Sequence, residues 1–233
     1  MTKQGESSEQ KYRAAGYERV EPKATYAPWS EDTAFLRVNG VIKEHTLVDR
    51  YRCYELWQLV TQAMKTPGDL LEVGVWRGGT GALIAAQAAR SDRSRVVYLA
   101  DTFNGVVKAG ARDRYYRGGE HANTSVEHVR RVLESLDLGN ARILAGVFPE
   151  ETGEAIAVGG GFCFCHIDVD VYQGARDVTE WVLPRLNRGG VIVYDDYGFY
   201  GCEGVTEFVN EIAATAGLVV VHNLNGHAVI VKA

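Results

Sequence analysis

Short apolar runs alternate along this chain with breaks that carry glycine or acidic residues. Runs at Asp69–Val73, Val96–Ala100, Ala141–Ala145, Gly161–Ile167 and Gly190–Tyr194 have the length and composition of buried parallel strands. Between them the apolar spacing changes to three and four. Leu47 to Met64 sets Leu56, Leu59, Val60 and Ala63 at helical intervals before Pro67-Gly68 ends the pattern. Gly79–Ala89, Ser125–Leu136, Gly174–Leu186 and Gly204–Ala216 read the same way, the last with Val205, Phe208, Val209, Ile212, Ala213 and Ala216 on one face. Two β-rich runs around Asn223-Leu224-Asn225-Gly226 predict a closing hairpin, so the last strand should run antiparallel to the others. This alternation predicts a doubly wound α/β sheet, a fold that takes ligands at the carboxyl ends of its strands.

The amino-terminal part is less regular. The first twenty residues are polar and expected to be mobile or partner-dependent, and Tyr26 to Gly40 reads as irregular, carrying Trp29 and Phe35. Residues 1–46 are therefore read as an extension that closes the pocket and supports subunit contacts, and residues 47–233 as the catalytic domain.

Composition narrows the function. A chain of 233 residues at 46% hydrophobic content suits one enlarged domain. A net charge of −5 excludes nucleic acid as the main partner, because phosphate binding needs a concentrated basic face. No apolar span of roughly 20 residues and no basic-then-apolar leader is evident, which sets the expectation of a soluble cytoplasmic protein away from membranes. The four cysteines do not suggest a disulfide framework. Cys163-x-Cys165-His166 invites a zinc reading, but strand alternation would put both sulfurs on one face and the imidazole on the other. Buried thiols are expected instead, with His166 bonding within its strand.

The candidate chemistry lies at strand ends. Asp168 and Asp170 follow one apolar run and Asp195-Asp196 the next. If those strands are neighbours, their tips lie roughly 4.8 Å apart, close enough for three carboxylates to share one hard divalent cation. An extended strand end would point Asp168 and Asp170 to the same side, one toward the cation and one toward an acceptor. The first strand-to-helix turn, LLEVGVWRGGTGALIAA, carries Gly74, Gly78 and Gly79 before the helix at Thr80, with Glu72 just ahead. Such a turn lets the backbone approach a ligand closely, and Asp101 at the end of the next strand is placed to accept both hydroxyls of an adenosine ribose. Residues 102–123 form a long loop with Arg112, Arg114, Tyr115, Tyr116, Arg117 and His121, read as a substrate lid, with His121 solvated. Tyr197 and Tyr200, just after the Asp pair, are candidates for the acceptor pocket.

The segments LEVGVWRGG, ADTFNGV, TSVEHVRRVLESLDL, ARILAGVFPEET, HIDVDVY and VIVYDDYG, in that order, resemble the macrocin O-methyltransferase family, which methylates sugar hydroxyls on bacterial natural products. The resemblance covers about Leu47 to Ala233 and implies a Rossmann-like class I methyltransferase sheet, for which the antiparallel hairpin also speaks. It implies S-adenosylmethionine as cofactor, held by Glu72, Gly74, Gly78, Thr80, Asp101 and Asp168. It implies Mg2+, or Mn2+, on Asp168, Asp195 and Asp196, with Asp170 as general base. It further implies a glycosylated small-molecule substrate and a homodimer or larger oligomer.

The chemistry suits these residues independently. Methyl transfer from a sulfonium to an alcohol is an in-line displacement that demands alignment and removal of the alcohol proton. A dication fixes the oxygen and stabilises the alkoxide while a carboxylate takes the proton. Catechol methyltransferases resemble this arrangement but use a lysine three residues after the first acid, where this chain has Val171. That phenolic reading, a nicotinamide-dependent dehydrogenase and a non-catalytic cofactor-binding module are the alternatives.

Overall fold

A computed structural model describes residue 13 and residues 15–21, 23–157 and 159–233. The expected mobility of the first twenty residues falls largely outside them. The elements are α1 (Thr33–Ile42), α2 (Arg50–Ala63), β1 (Asp69–Val73), α3 (Gly79–Ser91), β2 (Val97–Asp101), α4 (Val126–Ser135), β3 (Ala141–Ala145), β4 (Phe162–Ile167), α5 (Tyr172–Val182), β5 (Leu186–Tyr194), α6 (Glu203–Ile212), β6 (Leu218–His222) and β7 (Ala228–Lys232). The sheet runs β3-β2-β1-β4-β5-β7-β6. Five strands are parallel, and β7 is antiparallel to both β5 and β6.

Alternation along the strands divides the core. Leu70, Leu99, Phe164 and Val193 pack under α1 to α4 on one face, while Leu71, Val73, Ile167 and Tyr194 pack under α5 and α6 on the other. The expected α/β sheet and closing hairpin are present. No helix among the described residues is long and apolar enough to cross a membrane.

Three local readings need correction. The stretch expected to be irregular contains α1, capped by Asp32, whose Oδ1 accepts the amides of Ala34 and Phe35. Phe35, Val38 and Ile42 are essentially fully buried, each worth roughly 1.5–3 kcal/mol, so this segment is built into the main core. In β4 the pairing skips a residue between Phe162 and Phe164 against both neighbouring strands. That bulge turns Cys163 and Phe164 to one face and Cys165 to the other, so the two sulfurs do not share a side as alternation predicts. All four cysteines are free and buried. Finally, α6 ends at Ile212, leaving Ala213 and Ala216 exposed beyond its apolar face.

Candidate active site

The site forms where β1, β4 and β5 end side by side. Gly74 has φ +90°, and a Cβ there would overlap the carbonyl oxygen of Asp168. Only glycine lets the tip of β4 lie against the glycine turn, where the Asp168 amide donates to the Val73 carbonyl. The turn then wraps the end of β2. Asp101 Oδ2 accepts the amides of Val75 at 2.7 Å and Trp76 at 2.8 Å, and Oδ1 accepts that of Phe103 at 2.6 Å. A carboxylate has about four acceptor positions. Asp101 therefore builds the turn and keeps room for about one further hydrogen bond, not the two expected for a ribose.

A cavity of about 340 Å³ is lined both by Gly74, Thr80 and Asp101 and by Asp168, Asp170, Asp195 and Asp196. Gly78 lies outside its lining; it starts α3 with φ +86°, and its added Cβ would meet Val129. Glu72 also lies outside. Pleating turns it to the face covered by α2 and α3, in register with His166, and its Oε1 sits 2.9 Å from His166 Nδ1 with both side chains fully buried. His166 thus bonds to the neighbouring strand β1 and not within its own strand as expected.

Oxygens of Asp168, Asp195 and Asp196 lie within 4.8 Å of one another. Their electrostatic settings differ. Asp195 Oδ2 is 2.5 Å from Arg52 and its Oδ1 is 2.8 Å from His227 Nε2. Burial alone would raise its pKa, but His166, His227 and Arg52 together hold it well below the usual range. The same contact raises His166: burial opposes its charge, yet Asp195 and Glu72 lift it to about 9. Burial and the neighbouring carboxylates push Asp168 and Asp196 well above the ordinary range. Crowded buried oxygens that resist ionising together are a donor set suited to a hard dication.

Asp170 reaches the cavity differently from expectation. Its φ is +66°, so the chain bends left-handed instead of continuing as an extended strand, a conformation Asp tolerates better than most residues. The bend lets its amide donate to Asp196 Oδ2 at 2.9 Å. Burial raises its carboxyl, and a hydrogen bond with the Tyr116 phenol offsets this only in part.

The long loop is anchored. Lys108 pairs with Glu150 at 2.6 Å and Asp177 at 2.7 Å, Arg112 with Glu207 and Glu211, both on α6, and buried Asp113 accepts the first amide of α5, that of Tyr172, at 2.9 Å. Tyr116 lines the cavity, as does His121, which is half-buried instead of solvated. Arg114 and Tyr115 are exposed and line no part of it. Tyr197 turns away, its hydroxyl bonded to Asn210 and His222; Tyr200 and Phe199 stand at the cavity instead. Sequence reading missed Arg52 and His227. Arg52 carried a signal, being a charge on the same helix face as Leu56 and its apolar neighbours.

Residues 25–226 match the macrocin-O-methyltransferase (TylF) family. The chain is 32% identical over 193 residues, 73% of each chain, to the 8-demethyl-8-(2,3-dimethoxy-alpha-L-rhamnosyl)-tetracenomycin-C 4'-O-methyltransferase of Streptomyces olivaceus. It is 33% identical over 185 residues, 70% of each chain, to the mycinamicin III 3''-O-methyltransferase of Micromonospora griseorubida. The solved O-methyltransferase NovP superposes with a TM-score of 0.71 at 27% identity, covering 81% of this chain and 82% of that one. With two thirds or more of its length matched at that level, the chain belongs to the macrocin O-methyltransferase family and is an O-methyltransferase.

Proposed function

We propose that this protein is a cytoplasmic enzyme that uses S-adenosylmethionine and a divalent cation, Mg2+ or Mn2+, to methylate a sugar hydroxyl of a glycosylated natural product. The observation that carries this reading is one cavity joining the glycine turn to four carboxylates. The relatives support the substrate class, since their names place them on a rhamnosyl tetracenomycin and on mycinamicin III.

In this reading the backbone at Gly74, the Thr80 region and Asp101 hold the methyl donor. Asp168, Asp195 and Asp196 hold the cation, which when bound supplies a fixed positive charge for the alkoxide that develops on the acceptor. Asp170, which lines the same cavity, accepts the acceptor's proton. Tyr116 and Phe148 wall the cavity and exclude water from the transfer. The enzyme acts as a homodimer or larger oligomer, with exposed Tyr26 and Leu36 available for subunit contact.

An acceptor panel tests the substrate class. Glycosylated aromatic and macrolide natural products should gain a methyl group that mass spectrometry places on the sugar. Equal or faster methylation of catechols and aglycones would sink the assignment.

A further inference from the structure

A row of buried polar side chains crosses the sheet beneath the acids, on the face covered by α2. It runs Glu72 on β1, His166 on β4, Asp195 after β5 and His227 before β7, with Glu55 reaching in from α2. Both histidines are fully buried, and both are held alike. His166 Nδ1 lies 2.9 Å from Glu72, and His227 Nδ1 lies 2.6 Å from Glu55. Both Nε2 atoms face the same oxygen, Asp195 Oδ1, at 3.8 Å for His166 and 2.8 Å for His227. At 3.8 Å His166 Nε2 is beyond hydrogen-bond reach of that oxygen, and it has no hydrogen-bond partner.

We propose that Glu72 and Glu55 are positioning residues for the cation site, each orienting Asp195 through one histidine. This rests on the reading of Asp168, Asp195 and Asp196 as cation ligands. A carboxylate on the far nitrogen of an imidazole fixes the ring's orientation and tautomer. Glu55 thereby fixes which nitrogen His227 offers to Asp195, while Glu72 holds the His166 ring by Nδ1 so that its Nε2 faces the same oxygen as a fixed charge 3.8 Å away. Arg52 holds the other Asp195 oxygen, so the ligand is oriented from both sides before any cation arrives. Glu72 then belongs to the cation site, not to the cofactor site that its place before the glycine turn suggests.

The two assignments of Glu72 predict opposite losses. Mn2+ binding, followed by electron paramagnetic resonance, and S-adenosylhomocysteine binding, followed by calorimetry, should be measured on the full-length wild type, Glu72→Gln, Glu55→Gln and His227→Asn. Loss of these outer partners should weaken Mn2+ binding by about 10- to 100-fold and leave S-adenosylhomocysteine affinity unchanged. Glu55 is 28% exposed in its side chain, so Glu55→Gln gives a folded variant should Glu72→Gln fail to fold. Mn2+ affinity unchanged in folded Glu55→Gln and His227→Asn would overturn the inference, as would Glu72→Gln losing S-adenosylhomocysteine while keeping Mn2+. No Mn2+ binding by the wild type would overturn the cation reading itself, a result distinct from variants that all bind like the wild type.

Discussion

Replacing Asp101 with Asn probes how the cofactor turn is built. In the native protein three amides, from Val75, Trp76 and Phe103, donate to this one carboxylate. Asn has a single acceptor oxygen, and its best orientation keeps Val75 and Trp76 and turns its own N–H groups toward Phe103. One bond to a charged acceptor, worth ~1.5–3 kcal/mol, is lost, and two others fall to the ~0.5–1.5 kcal/mol of neutral bonds. The sum is roughly 3.5–6 kcal/mol; because the site is half-buried, water recovers part of it, leaving an expected loss of about 2–4 kcal/mol. Urea denaturation should show that loss, and calorimetry should show weaker S-adenosylhomocysteine binding as the turn relaxes. Weaker binding with unchanged stability would refute the reasoning, because Asp101 would then contact the cofactor without organising the turn.

Asp170→Asn removes the proton acceptor while keeping its size, so kcat should fall by ~10²- to 10⁴-fold with Mn2+ and S-adenosylhomocysteine affinity retained. Near-normal kcat at saturating substrate would remove Asp170 as the base. Gly74→Ala should lower Tm more than Gly78→Ala, because its Cβ meets the Asp168 backbone whereas the other meets the movable Val129 side chain. Equal losses in thermal melts would contradict the close approach of β4 to the turn.

The sheet was legible because its strands are short apolar runs bounded by clear breaks, and β1 and β3 fall where the pattern puts them. The acid cluster was legible for a related reason: residues directly after neighbouring parallel strands must meet at one edge. Features set by long-range contacts were not. Nothing local announces that β4 bulges at Cys163, or that Asp170 bends left-handed to offer its amide to Asp196. Strand parity puts Glu72 on the α2 and α3 face with Leu70, outside the cavity lining, a placement that its position before the turn does not announce. The helix α1 was readable and overlooked: Asp32 is a good cap, and Phe35, Val38 and Ile42 follow at helical spacing. Tyr197 looked poised for substrate by sequence distance alone, yet His222 on the edge strand claims it.

The most direct measurement of the central claim is transfer of a labelled methyl group from S-adenosylmethionine to a glycosylated acceptor by chelator-stripped protein, before and after Mg2+ is restored, alongside Asp168→Asn. The account predicts negligible transfer without the cation, recovery with it in the wild type, and little recovery in Asp168→Asn, which removes one of three charged oxygen ligands. Full turnover by the stripped wild-type protein, or Mg2+-restored turnover in Asp168→Asn equal to the wild type, would contradict it.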